Sequence, residues 1–269
     1  MTVSESDEKI LQHVFSHQGL LSKHLKQYEE RIEQKEMARH ILASYREGTI
    51  ALIEAGTGIG KSFAYLLPAL YWALQHQERT VISTHTIALQ EQLIKKDIPF
   101  LIKVMNREIK AVLVKGMRNY VCLRKLQEMQ ETPLLHTPEE SRDVQALSGW
   151  AKQTEDGSRS SISFSLGHGT WDKVSADSDS CNHVHCPHYK QCYFFQARKE
   201  ASDAQLLIVN HSLLFADIQA KRQKREPVLP FYKRLVLDEA HHIEQVALDS
   251  SAQRIDRTSL IHALAKFFF

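Results

Sequence analysis

The sequence predicts an α/β fold, a parallel sheet with helices on both faces, interrupted by a small cysteine-rich insertion. Three observations carry that reading. Short apolar runs alternate with segments of helical apolar spacing, and parallel strands require crossover helices of this kind. One such run opens directly into a glycine-rich turn, Glu54-Ala-Gly-Thr-Gly-Ile-Gly-Lys-Ser62. Between Gly116 and Asp203 the alternation stops: polar and small residues crowd 154–165 and 175–180, and cysteines cluster at Cys181, Cys186 and Cys192.

Taken in order, Met37, Ala38, Ile41, Leu42 and Tyr45 recur at helical spacing and place an amphipathic helix before Gly48. Residues 49–54, with the run Ile50-Ala-Leu-Ile53, read as a strand buried on both faces. After the glycine-rich turn, Phe63, Leu66, Leu67, Leu70 and Leu74 mark a helix that Pro68 should bend. Strands are expected at 80–83 and 110–115, with a helix over 87–98 between them. Beyond the interruption come strands at 205–209 and 234–237 and a helix after Ala240.

The chain therefore divides into an N-terminal helical segment (1–47), two parts of one α/β domain (48–116 and 204–250) and an insertion (117–203) expected to have little apolar core. Leu260, Ile261, Leu264 and Phe268 suggest that a further helical segment starts within 251–269. Its end inside an apolar pattern predicts a partial sequence.

Composition sets outer bounds. With 43% hydrophobic and 25% charged residues, the chain has the make-up of a globular protein. No apolar run reaches the roughly 20 residues that span a bilayer, and the start lacks the features of a signal peptide. A cytoplasmic protein without membrane partners is expected, and in a reducing compartment its four cysteines should not form structural disulfides. The net charge of +2 does not demand a polyanionic partner, although basic clusters at 110–125 and 221–225 are compatible with one.

The glycine-rich turn has the pattern of a P-loop with Ala55 in the first glycine place. Gly56, Thr57, Gly58 and Gly60 would aim backbone N–H groups at phosphate oxygens, aided by the dipole of the helix that follows. Lys61 would reach the outer phosphates of ATP, and the Ser62 hydroxyl would ligate Mg²⁺. The strand Leu235-Val-Leu ends in Asp238 and Glu239. Ligands of parallel sheets gather at such strand ends. Asp238 would hold Mg²⁺ and Glu239 would position or deprotonate the attacking water.

Cys181, Cys186 and Cys192, with Cys122 upstream, supply four thiolates for one metal site. Spacing alone accepts either a [4Fe–4S] cluster or tetrahedral zinc, and His183, His185 and His188 add alternative zinc ligands. Such a centre would staple an insertion short of apolar residues.

Asp238-Glu-Ala-His241 resembles motif II of superfamily 2 helicases of the DEAH type. Arg31-Ile-Glu-Gln34-Lys-Glu-Met37 resembles the Q-motif that contacts adenine in such motors, and Ser83-Thr-His-Thr-Ile-Ala-Leu-Gln-Glu-Gln-Leu93 resembles motif Ia. Lys115-Gly-Met-Arg-Asn-Tyr-Val-Cys122 and Ala204-Gln-Leu-Leu-Ile-Val-Asn-His-Ser-Leu-Leu214 are similar to the segments flanking the cluster of iron–sulfur helicases. Together, from about Gln18 onward, they resemble the bacterial DinG/YoaA branch of the XPD-like family.

That resemblance implies a RecA-like motor domain, with His241 joining Arg31, Gln34 and the loop at the nucleotide. It implies a [4Fe–4S] cluster on Cys122, Cys181, Cys186 and Cys192, and an arch-like helical insertion after motif II. The implied activity is ATP-dependent 5′→3′ unwinding of single-stranded-tailed or forked DNA in repair or replication, by a monomer with a possible protein partner. Motif III and the second motor domain are not in this sequence. An RNA helicase, or a nucleic-acid-binding module without turnover, is the alternative. Thr84, His85, Thr86 and Gln90 at a strand-to-helix junction suit a sequence-blind grip on phosphates. Arg118 and Tyr120 pair a cation with an aromatic face that could stack on a base.

Overall fold

The computed structural model describes residues 4–132 and 137–251. The helical segment expected over 251–269 lies outside the described residues beyond Ser251.

Strands form where apolar runs are unbroken: β1 (Thr80–Thr84), β2 (Ala111–Leu113), β3 (Leu206–Asn210) and β4 (Arg234–Leu237). They build one sheet in the order β2-β3-β1-β4 with every pairing parallel. β1 is buried along its whole length and β3 at all but its last residue, as expected for central strands covered on both faces. Register aligns Ser83 with Val209 and with Leu237, so the carboxyl ends of β1, β3 and β4 open on one edge.

Around the first half of the sheet run α1 (Glu5–Phe15), α2 (Leu20–His24), α3 (Ile32–Glu47), α4 (Lys61–His76), α5 (Ile87–Gln92) and α6 (Ile98–Met105). Gly48 ends α3 in the left-handed conformation that a helix C-terminus commonly uses. The helix expected over 87–98 is α5 followed by a π-helical turn, Leu93–Asp97, that leads into α6. α4 continues through Pro68. The insertion carries α7 (Leu123–Glu131), α8 (Pro138–Ala151), α9 (Thr170–Val174) and α10 (Tyr193–Asp203); α11 (His211–Arg222) and α12 (Ile243–Ser251) follow β3 and β4. One sheet face packs Ile82 and Ile208 against Phe15, Leu42, Leu66 and Leu101. The other packs Val81, Leu207 and Val209 against Leu213 and Leu214 of α11. The two-sided arrangement expected from the apolar runs is present.

Two expectations need correction. Residues 49–54 form no strand and pair with none, and Ile50 and Leu52 stand 98% and 94% exposed. A strand is held by its ladder, and the available edge of β4 does not meet this segment. A cleft of 930 Å³ separates them, lined by Tyr45, Ile50, Leu52, Leu235 and Leu237 among others. The insertion, for its part, does have a core. Val121, Leu126, Met129, Val144, Leu147, Trp171 and Val174 are buried together, and the Trp171 indole donates to the Arg118 carbonyl at 3.0 Å. α8 is started by a reciprocal cap between Thr137 and Glu140.

Candidate nucleotide site and cysteine cluster

Gly58 and Gly60 take φ values of +84° and +80°, which residues with a Cβ rarely adopt. Gly60 has a second constraint, since a Cβ there would lie 2.1 Å from Gln34 Nε2. The loop so bent delivers Lys61 to the first position of α4, while Gly56, Thr57 and Gly58 stay exposed. Arg31 and Gln34 meet the loop itself: Arg31 donates to the Gly58 carbonyl, and Gln34 Nε2 donates to the Gly60 carbonyl at 2.9 Å. Both hold the loop's backbone rather than lining a free adenine pocket.

The acidic strand end faces this loop. Lys61 Nζ lies 3.6 Å from Glu239 Oε1, and His241 Nδ1 lies 3.5 Å from Glu239 Oε2. Asp238 is fixed from three sides. Its N–H donates to the Ser83 carbonyl at 2.9 Å, its Oδ1 accepts from the Glu239 N–H at 3.0 Å, and its Oδ2 accepts from the Tyr65 hydroxyl at 2.9 Å. Burial pushes the Asp238 carboxyl above its ordinary range; the Tyr65 hydrogen bond opposes this and the Glu239 charge adds to it. Burial and the Asp238 charge in turn raise the Tyr65 hydroxyl far above its ordinary value, keeping it a donor. Glu239 has φ of +54°, an uncommon backbone for a residue with a side chain.

Tyr65 was not singled out by the sequence reading. The available signal is its position four residues after Lys61, on the same helix face. His211 and His242 were also missed. His211 is buried, shares a 2.7 Å hydrogen bond with Ser83 Oγ through Nδ1, and has an Nε2 without a partner. Burial pushes its pKa down, with His85 adding to the effect.

The expected nucleic-acid residues separate into two groups. His85 and Thr86 are exposed on the loop after β1, where Thr86 Oγ1 caps α5 by accepting from the Leu89 N–H at 3.2 Å; Arg118 is exposed as well. Thr84 and Gln90 are buried. Tyr120 is 3% exposed and lies edge-on to Phe194. Burial pushes its hydroxyl up to about 12, and its ring offers no free face for stacking. That contact is corrected.

The four cysteines are half-buried free thiols on separate segments. Cys122 precedes α7 and Cys192 precedes α10 as N-cap residues. Cys186 follows a short 3₁₀ turn, His183–His185. The segments converge electrostatically. Burial raises the Cys192 thiol, the backbone N–H groups of Phe195 and Phe194 oppose this, and the charges of Cys122 and Cys181 add to the rise. Arg124 senses both Cys122 and Cys186. Among the described residues no three ligand-type side chains are close enough together to hold a metal ion. His183 and His185 are exposed, and His188 Nε2 is engaged with Gln127 Oε1 at 2.8 Å.

A parallel α/β domain with a glycine-rich loop and an acidic strand end meeting at its carboxyl edge is consistent with a RecA-like helicase domain. Residues 31–158 match the DEAD/DEAH box helicase family and residues 172–260 match the DEAD_2 family. The chain is 33% identical over 254 residues to the ATP-dependent DNA helicase YoaA of Haemophilus influenzae, an alignment covering 94% of this chain and 39% of that protein. Against YoaA of Escherichia coli it is 33% identical, with 92% and 38% covered. Against the ATP-dependent helicase DinG of Mycobacterium tuberculosis it is 35% identical, with 84% and 36% covered. The chain thus spans under two-fifths of the length of these curated relatives. Among the described residues no helix is long and apolar enough to cross a membrane.

Proposed function

We propose that this chain is the ATP-binding portion of a cytoplasmic 5′→3′ DNA helicase that loads on single-stranded or forked DNA during repair or replication. The observation that carries the reading is the 3.6 Å approach of Lys61 to Glu239, directly beside Asp238, at the carboxyl edge of the sheet. Phosphate binding would take Lys61 from this ion pair and free the Glu239 carboxylate to orient the attacking water. Mg²⁺ would be held by Ser62 and Asp238 and would neutralise charge on the outer phosphates. Tyr65 keeps Asp238 aimed, while Arg31 and Gln34 tie the loop's shape to the N-terminal helices. His241 braces Glu239 from the other side.

DNA as substrate is supported by the relatives' own names and by an exposed loop, His85–Thr86, adjoining the ATP site, with Arg118 nearer the insertion. A four-thiolate centre is supported by the chemistry of Cys122, Cys181, Cys186 and Cys192, four free, half-buried thiols, although these side chains are not gathered to metal-binding distance in this structure. A [4Fe–4S] cluster held there would tie α7 and α10 to the Cys181–Cys186 loop. In this reading 117–203 is the cluster-bearing insertion, 251–269 begins an arch-like helical insertion, and the whole protein supplies a second motor domain. It would act as a monomer, in concert with a replication or repair protein.

Iron and sulfide measured on the full-length protein purified without oxygen test the cluster. Cluster-proportion iron and sulfide, lost in C186S with ATP binding unchanged within about twofold, is the expected outcome. Zinc in the wild type, or unaltered iron in the variant, would overturn it.

A further inference from the structure

Beyond the catalytic carboxylates, the carboxyl edge of the sheet carries a row of histidines that the reaction itself does not use. His85 is the first exposed residue after β1, and His242 closes the 3₁₀ turn Ala240–His242 that follows Glu239. Because β1 and β4 are neighbours, the two segments lie side by side. The rings of His85 and His242 are stacked, 4.0 Å apart between centroids and 19° between planes. His242 also meets His241 at 4.0 Å, and His241 in turn reaches Glu239. On its other side, His85 has the His211 ring at 6.2 Å, anchored to Ser83. His85 thus sits between the Ser83-bonded His211 imidazole and the turn that follows Glu239.

We infer that His242 is a positioning residue: through its stack on His85 it transmits occupancy of the nucleic-acid loop to the Glu239 carboxylate. The inference rests on the proposed function, since it presumes that His85–Thr86 meets a polynucleotide. Two features favour a coupling element over packing. His85 is exposed and His242 half-buried, so neither fills a core. Glu239 holds a left-handed backbone, a strained conformation that persists only when neighbours over-determine it. A small shift of the 240–242 turn therefore re-aims the carboxylate. A strand laid along the His85 loop would change the stack first.

The test is the ratio of ATP hydrolysis with saturating oligo(dT) to that without, in the full-length protein. In His242→Ala the ratio should fall about fivefold or more, the lower end of site-to-site couplings. Affinity for a labelled oligo(dT), read by anisotropy, should stay within about twofold, below the range of such couplings. His242→Phe, which keeps a flat ring, should restore most of the ratio. A purely structural role would lower both rates together and leave the ratio intact. If H242A melts early, His242→Gln carries the same comparison. A wild-type ratio in H242A, or an H242F ratio as low as that of H242A, overturns the link. A wild-type enzyme indifferent to oligo(dT) removes the functional reading itself, a different failure from either of these.

Discussion

The nucleotide end of the sheet and the cysteine-bearing insertion are held by different means. At the nucleotide end, backbone geometry sets the frame of the site: positive φ at Gly58 and Gly60, and the Asp238 N–H on the Ser83 carbonyl. In the insertion, side chains do the holding. Leu147, Trp171 and Val174 pack together, and Lys125 grips Asp177 and the Ser175 carbonyl. The difference teaches that a site built from strand ends and a helix N-terminus inherits its precision from the sheet. A unit remote from the sheet needs its own core, so a metal centre there need not be the sole source of its stability.

The largest break in this comparison should come from Leu147→Ala. Leu147 is fully buried in the insertion core, and such a deletion costs about 2–5 kcal/mol. Hydrogen exchange should accelerate across 121–176 while β1 and β3 remain protected. Equal acceleration in the sheet would mean that the two regions share one cooperative unit.

Tyr65→Phe sharpens the other side. The variant keeps the ring packing and loses only the hydroxyl donated to Asp238. Hydrogen bonds to charged groups contribute about 1.5–3 kcal/mol, so ATP hydrolysis should fall about tenfold. The Mg²⁺ concentration for half-maximal rate should rise. An unchanged Mg²⁺ dependence would detach Tyr65 from Asp238.

The smallest effect concerns Asp177. Burial acts to raise its carboxyl, but hydrogen bonds from Lys125 and Ser180 and the Lys125 charge overcome this and hold it well below the carboxylate range. A lowered folded-state pKa adds stability above the unfolded value of about 3.9, and that stability is lost as pH falls toward the folded value. Asp177→Asn should therefore melt earlier than wild type at neutral pH by about 1 kcal/mol or less, as partly exposed pairs do. The gap should narrow in melts below about pH 4. A gap constant with pH would show that packing, not charge, is responsible.

What could be read from residues alone follows the same division. β1, β3 and β4 declared themselves as short apolar runs, and the loop through Lys61 and the pair Asp238–Glu239 declared themselves by spacing. The strand expected at 49–54 failed because apolar residues specify burial, whereas a ladder needs a partner, and β4 stands across a cleft from it. The insertion core stayed hidden because Val121, Leu147 and Trp171 come from helices and loops far apart in sequence, with no shared period. Tyr120 and Gln90 were misplaced for a related reason: their chemistry suits nucleic acid, but burial decides whether it is available. Tyr65, His211 and His242 escaped notice because their partners are set by strand order, which no local pattern records.

Lys61, Asp238 and Glu239 are proposed to form an ATP site driven by nucleic acid, and the whole mechanism depends on that proposal. It is tested most directly by ATP hydrolysis of the full-length protein with and without single-stranded DNA, beside Lys61→Ala. The predicted result is hydrolysis stimulated by DNA in the wild type and reduced about 10²–10³-fold in the variant, the loss typical of a removed phosphate-stabilising group. Hydrolysis that persists in K61A, or that DNA leaves untouched in the wild type, would contradict it.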